Sequence, residues 1–167
     1  ELVAALGFRV CALDGAEADD ILATLATKAQ EQGSQAIIIT SDKDILQIAT
    51  DKIQVWNGNL KEKPKSALEC KAKFGVECKY IVDYLSIVGD SSDNVPGVAG
   101  LGPKAAVELI TKFGNLESII QSAKDRNPQI KETMVKKLLT GEKDALLSKK
   151  LIILDTALPI ATALKDS

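Results

Sequence analysis

Ala36-Ile37-Ile38-Ile39-Thr40-Ser41-Asp42-Lys43-Asp44 is the stretch on which the reading of this chain turns. Its first part is an uncharged run with a β-branched centre, the signature of a buried parallel strand. The run hands over abruptly to two aspartates with one residue between them. In open parallel α/β sheets, ligands bind at the carboxyl edge of the strands. Asp42 and Asp44 are therefore placed where both can aim at one ion. The same residues have a plainer use, because Ser41 or Asp42 can cap a short helix that begins at Asp44.

The flanks extend the α/β pattern. Upstream, residues 8–12 read as a short strand. Residues 17–32 read as a helix, with Ile21, Leu22, Leu25 and Ala29 at helical spacing, acids in the first turn and Gly33 as the stop. Downstream, residues 53–56 form a further strand closed by the turn signal Asn57-Gly58-Asn59. From about Ser66 the pattern is helical: 66–74 before Gly75, 80–88, 103–113 with Pro103 at the first helical position, 116–123, 129–139 and 142–154. The expected fold is α/β, a partial parallel sheet flanked by helices and followed by a helical region. Residues 1–95 would form the core and 96–167 a helical subdomain packed on it as one structural unit.

Composition removes several function classes. The 167 residues suffice for one domain with a real core. No apolar run approaches the ~20 residues that span a bilayer, so no membrane partner is expected. With no histidine, a Cys/His zinc site and any imidazole-based triad are excluded. Cys11, Cys70 and Cys78 read as reduced thiols of an intracellular protein. The net charge of −2 hides a split. Residues 14–51 hold eight acids against Lys28 and Lys43, whereas residues 124–150 hold eight basic residues against four acids. Residues 61–79 carry six lysines against three glutamates. An acidic pocket beside basic flanks suits an enzyme that holds a polyanion by its lysines and cations by its acids.

Two further motifs join the strand-end pair. Glu17, Asp19 and Asp20 open a helix, where the dipole already favours carboxylates, yet three acids in four residues exceed what a cap requires. Asp90 and Asp93 lie in Gly89-Asp90-Ser91-Ser92-Asp93-Asn94-Val95-Pro96-Gly97, a turn-rich loop by composition. Carboxylates gathered this closely call for a cation, and hard oxygen-liking ions such as Mg²⁺ fit best. Beyond them, Gly97-Val98-Ala99-Gly100-Leu101-Gly102-Pro103-Lys104 runs into a helix N-terminus. A glycine-rich turn there exposes backbone N–H groups to phosphate and grips a nucleic-acid backbone without reading bases.

Taken in order and spacing, residues 15–21, 40–47, 88–97 and 100–105 resemble the 5′-nuclease (flap endonuclease-like) family. They are most like the 5′→3′ exonuclease domain of bacterial-type DNA polymerase I. The resemblance implies a metal site of Glu17, Asp19, Asp20, Asp42, Asp44, Asp90 and Asp93, with Asp19, Asp20, Asp42 and Asp44 catalytic and nearest the ions. It implies two or more Mg²⁺, with Mn²⁺ as a substitute. It also implies a helix-hairpin-helix-type DNA-binding motif of Gly97, Val98, Gly100, Leu101, Gly102 and Lys104, with K⁺ at the hairpin. Substrates would be 5′ ends and 5′ flaps on branched DNA, or RNA primers on DNA. A polymerase domain in the parent chain and a bacterial-type intracellular location go with it.

The family's domain opens with a strand that carries a further aspartate, followed by a basic helical arch. No segment here corresponds to them, so the N-terminal part of the nuclease domain is expected to be absent. Two other readings stay open. One is a DNA-binding fragment without turnover; the other is a metal-dependent phosphatase or ribonuclease on a similar core, which leaves the glycine turn unexplained.

Overall fold

β1 (Ala36–Ile39) and β2 (Ile53–Trp56) pair in parallel, Ala36 opposite Ile53 and Ile39 opposite Trp56. This is a computed structural model, and it describes residues 2–160. The end of the expected helical subdomain, residues 161–167, lies outside the described residues. The crossover between the strands is short and includes a 3-10 helix, Asp44–Ile48, whose Ile45 and Leu46 are buried. After a short helix α1 (Leu2–Ala5), the 14-residue α2 (Ala18–Glu31) packs on the sheet, with Ala26 in the same core as Ile38, Ile53 and Val55. Among the described residues nothing covers the opposite face at β1. Ile37 and Ile39 are 57% and 65% exposed, and only Ile38 of the strand is buried. The expectation of a fully buried strand is corrected accordingly: alternate side chains point to opposite faces, and a helix covers only one.

Residues 8–12 form no strand. They make no ladder with β1 or β2 among the described residues, and Phe8 and Val10 stand in solvent. An apolar composition does not make a strand without an edge to pair with.

α3 (Ala67–Phe74) starts on a reciprocal capping box between Ser66 and Glu69 and stops at Gly75 in the left-handed region. Cys70, on α3, is joined by a disulfide to Cys78 in the 3-10 turn that follows. The expectation of reduced thiols is thus corrected for this pair. Packing α3 on that turn brings their Cα atoms to 5.4 Å, within disulfide reach. Cys11 is free and exposed.

α4 (Ile81–Val88) is the axis of the helical part. Seven of its eight residues are buried. α5 (Pro103–Phe113), α6 (Leu116–Lys124) and α8 (Glu142–Ile152) pack round it, and α7 (Glu132–Thr140) packs on α6 and α8. α7 begins later than the spacing predicts, because Asn127 captures the amides of Gln129 and Ile130 in a turn. Asp83 is the one charge in the middle of α4, 5% exposed. Its Oδ1 accepts the Leu116 amide at 3.0 Å and the Lys149 ammonium at 2.8 Å. Burial works against a charged Lys149, but Asp83 and Glu117 outweigh it and hold its ammonium above the usual lysine range.

After α8 the chain returns to the sheet. Gln47 bridges Ile152 O and Leu154 N, Thr24 donates to Asp155 O, and Lys28 reaches Ile160 O at 2.7 Å. No helix among the described residues is long and apolar enough to cross a membrane.

Replacing Asp83 by alanine leaves the Leu116 amide and the Lys149 ammonium without their acceptor. The expected loss is about 3 kcal/mol, read as a lower urea midpoint at an unchanged slope.

Candidate functional site

The strand-end aspartates follow β1 directly, as the sequence reading has them, and Asp42 supports the start of the 3-10 helix, whose N-cap position is Lys43. Asp42 Oδ1 accepts the Asp44 amide at 2.9 Å, which starts the 3-10 helix, while its charge still acts on its neighbours. Asp44 is the more strained of the two. Its Oδ1 is buried and has no hydrogen-bond partner among the described residues. Burial first, then the charges of Asp42, Asp90 and Asp93, push its carboxyl up to about 6, against the opposing pull of Lys43.

At the start of α2, Asp19 is raised by burial and then by Asp42, Glu17 and Asp20. Asp20 is partly committed elsewhere, because its Oδ1 accepts the Asp155 amide at 2.8 Å. Glu17 sits at the N-cap without a capping bond.

Asp90 is buried and held from both sides. Oδ1 accepts the Ser92 amide at 3.1 Å and the Ser92 hydroxyl at 2.6 Å, and Oδ2 is ion-paired with the Lys43 ammonium. Burial disfavours its charge, but Lys43 and Ser92 outweigh burial and bring the carboxyl down to about 2. Asp93 is shifted upward by local desolvation and then by its neighbour Asp90. Ser41, Asp42, Lys43, Asp90, Ser92 and Asp93 line an open recess of about 230 Å³.

These carboxylates form an arc rather than a closed cage. Among the described residues, no group of three or more His, Cys, Asp or Glu is gathered tightly enough to hold a metal ion. The reason is electrostatic. Lys43 and Ser92 tie down Asp90, the Asp155 amide diverts Asp20, and mutual repulsion favours spacing among the others. The donor set still fits a hard cation, being all carboxylate oxygen: among the described residues two buried oxygens, Asp44 Oδ1 and Asp90 Oδ2, have no hydrogen-bond partner, and only the second is ion-paired, with Lys43.

The loop that carries Asp90 is closed by backbone. Asp90 and Val95 exchange amide–carbonyl bonds of 2.9 and 2.8 Å, and Val98 N donates to Ile87 O. Gly89 and Gly97 both have positive φ and touch directly; a Cβ on Gly97 would stand 2.4 Å from Gly89 N. The Gly97 amide donates to Ser148 Oγ at 3.0 Å, and that hydroxyl donates to Asp144 O.

Of the residues read as DNA contacts, Gly97, Val98 and Leu101 are buried, the last two as hydrophobic anchors. Gly100, Gly102 and Lys104 are exposed on the turn. The amides of Ala99, Gly100 and Gly102 donate to no group among the described residues. The Lys137 ammonium bonds Gly100 O at 2.8 Å. Sequence reasoning missed Lys137 and Ser148 as partners of this turn. Lys137 was visible only as one charge in a basic run, and Ser148 left no signal.

Comparison with known proteins matches both parts of the chain. Residues 1–75 match the 5′–3′ exonuclease N-terminal resolvase-like domain, and residues 76–167 match the 5′–3′ exonuclease C-terminal SAM fold. The expected absence of the N-terminal part is thereby corrected. The segment ahead of Glu17 belongs to that domain although it holds no acidic motif of its own. DNA polymerase I of Treponema pallidum is 39% identical over all of this chain and 16% of its own length. Flap endonuclease Xni of Shewanella pealeana is also 39% identical, over 90% of this chain and 57% of its own. The chain thus spans little more than half of the flap endonuclease and a sixth of the polymerase. In fold it resembles T5 5′-exonuclease with bound divalent metal ions (zinc), with a TM-score of 0.79 at 24% identity over 93% of this chain and 56% of that one. On these matches, spanning both of its parts, the chain belongs to the 5′–3′ exonuclease family.

Proposed function

We propose that this chain is the metal-dependent part of a structure-specific 5′→3′ exonuclease or 5′-flap endonuclease that hydrolyses phosphodiesters in DNA, or in RNA primers on DNA. The observation that carries the reading is the buried, unpartnered Asp44 Oδ1 beside Asp42, Asp90 and Asp93. A carboxylate oxygen kept from water and from every donor is stabilised by a cation. Asp19, Asp20, Asp42 and Asp44 would hold divalent ions nearest the reaction, with Glu17, Asp90 and Asp93 completing the set. Mg²⁺ suits these oxygens, and Mn²⁺ substitutes. Such ions supply Lewis acidity toward the phosphodiester and an activated water.

The chain's own residues do the rest. The exposed turn at Gly100 and Gly102 offers amides to a phosphate oxygen, and Lys104 adds charge at the start of α5. Val98 and Leu101, sunk in the core, fix the height of that turn. A K⁺ at the hairpin would sit against carbonyl oxygens, of which Gly100 O already accepts Lys137. Branched duplex DNA with 5′ ends or flaps, a polymerase domain in the parent protein and an intracellular site of action belong to the same proposal, on the likeness to DNA polymerase I and flap endonuclease Xni. One observation favours a second reading, a DNA-binding scaffold without turnover: the carboxylates are not drawn into a tight cage.

Cleavage of a 5′-labelled flap DNA with Mg²⁺, with EDTA as control and a binding assay on the same DNA, separates the two. Metal-dependent flap release is expected. Binding without cleavage supports the scaffold, and neither binding nor cleavage removes both. Asp42→Asn should lower cleavage by about a hundredfold or more.

Lys104→Ala should weaken DNA binding and reduce the salt slope by about one.

Asp44 also gives a prediction free of turnover. Its carboxyl rises from 3.8 to about 6 on folding, so its protonated form favours the folded state. That contribution is complete below pH 3.8 and is lost as pH rises to about 6. In EDTA, the melting temperature of Asp44→Asn minus that of the parent should be near zero in acid and grow to a plateau above about pH 6.

A further inference from the structure

We infer that Lys43 is a built-in stand-in cation: its ammonium occupies the acidic recess while no divalent ion is bound and must leave Asp90 for one to bind there, so that Lys43 sets how much Mg²⁺ the site demands. The inference rests on the metal-site reading above and deepens it.

The geometry separates what is fixed from what can leave. Asp90 Oδ1 is saturated by Ser92, two residues along the same loop, and those bonds move with the loop. Oδ2 is held by the Lys43 ammonium, which comes from the strand-end motif on another element. The carboxylate is 3% exposed and the lysine side chain 34% exposed. Only the head group is inserted, therefore, and the flexible stem has a route to water. Lys43 can withdraw without breaking a backbone bond, whereas the Ser92 contacts cannot be removed without opening the loop.

Charge makes the arrangement antagonistic. Asp44, Asp90 and Asp93 act on the ammonium, and Asp42 lines the same recess and acts on Asp44 and Asp93. A single positive charge cannot balance four carboxylates, and this one is ion-paired with Asp90 while Asp44 Oδ1 has no hydrogen-bond partner among the described residues. A divalent ion matches the recess better, yet an ammonium and a metal cannot both sit on Asp90 Oδ2. Lys43 therefore stabilises the metal-free fold by covering a buried carboxylate and weakens metal binding by the same contact. Tyr84 also faces this lysine, from α4, but it is neutral at ordinary pH and leaves the balance to the carboxylates.

The test uses the DNA-free chain, with Mn²⁺ followed by electron paramagnetic resonance and Mg²⁺ by calorimetry. Lys43→Met should bind either ion roughly tenfold more tightly. It should also melt lower than the parent in EDTA and recover the deficit at saturating Mg²⁺. Lys43→Arg should stay near the parent in both respects. Unchanged or weaker binding by Lys43→Met overturns the inference.

Should Lys43→Met fail to fold without metal, the unaltered chain gives the answer by nuclear magnetic resonance. On Mg²⁺ titration the Lys43 side-chain ε signal should move to the position of a free lysine; a signal unmoved at saturation overturns the inference. An unaltered chain that binds neither ion strikes the metal-site reading, and the inference falls with it. Binding by the unaltered chain, abolished in Asp44→Asn but indifferent to Lys43→Met, strikes the inference alone.

Discussion

The structure depends on one short helix having no face left for water. α4 is eight residues long, too short to be stable on its own propensity, and it survives because α5, α6, α8 and the 3-10 turn after β1 bury it from every side. Its single internal charge is consumed by the start of α6 and by Lys149 of α8, so the buried carboxylate ties those two helices to the axis. The Cys70–Cys78 link anchors the segment leading into α4, and Gly89 ends it. What leaves that end is Asp90. The most enclosed carboxylate of the candidate site is thus an extension of the most enclosed helix.

The same economy couples the acidic arc to the glycine turn. Asp90 and Gly97 belong to one loop, pinned by the Asp90–Val95 pair and by direct contact between Gly89 and Gly97. Ser148 then bolts the Gly97 amide to α8. The acids and the exposed amides beyond Gly97 therefore keep a fixed separation that does not rely on long side chains. Under the proposed function, a phosphate backbone held at the turn would be presented to the acids at a set distance, which is how orientation contributes to hydrolysis. Charge is arranged with equal care. Asp90 is neutralised internally and deeply, whereas Asp44 is left exposed to its neighbours' repulsion.

Much of this was legible in the sequence, for identifiable reasons. Residues 103–113 could be read to the residue because Pro103 and Gly114 are chemical stop signs. Asp42 and Asp44 were placed by the abrupt end of an apolar run. Other features left no local trace. The burial of α4 on all sides depends on four neighbours distant in sequence. The open face of β1 is invisible in a run that reads Ile-Ile-Ile, because covering that face takes a second layer. Residues 8–12 had a strand's composition without a partner. Cys70 and Cys78 are eight apart, a spacing that specifies nothing until α3 folds back on the next turn. Lys43 read as a spacer between two aspartates, and only the fold brings Asp90 under its ammonium.

The half-covered sheet has a material consequence. Two strands are too few to hold together alone, and among the described residues α2 packs on both of them. The edge of β1 away from β2 carries no ladder among the described residues, and Ile37 and Ile39 present their branched side chains beside it. An apolar, flat and unblocked strand edge is a template on which another backbone can add. Little in the 36–39 segment blunts that edge: it has no proline, no charge and no bulge.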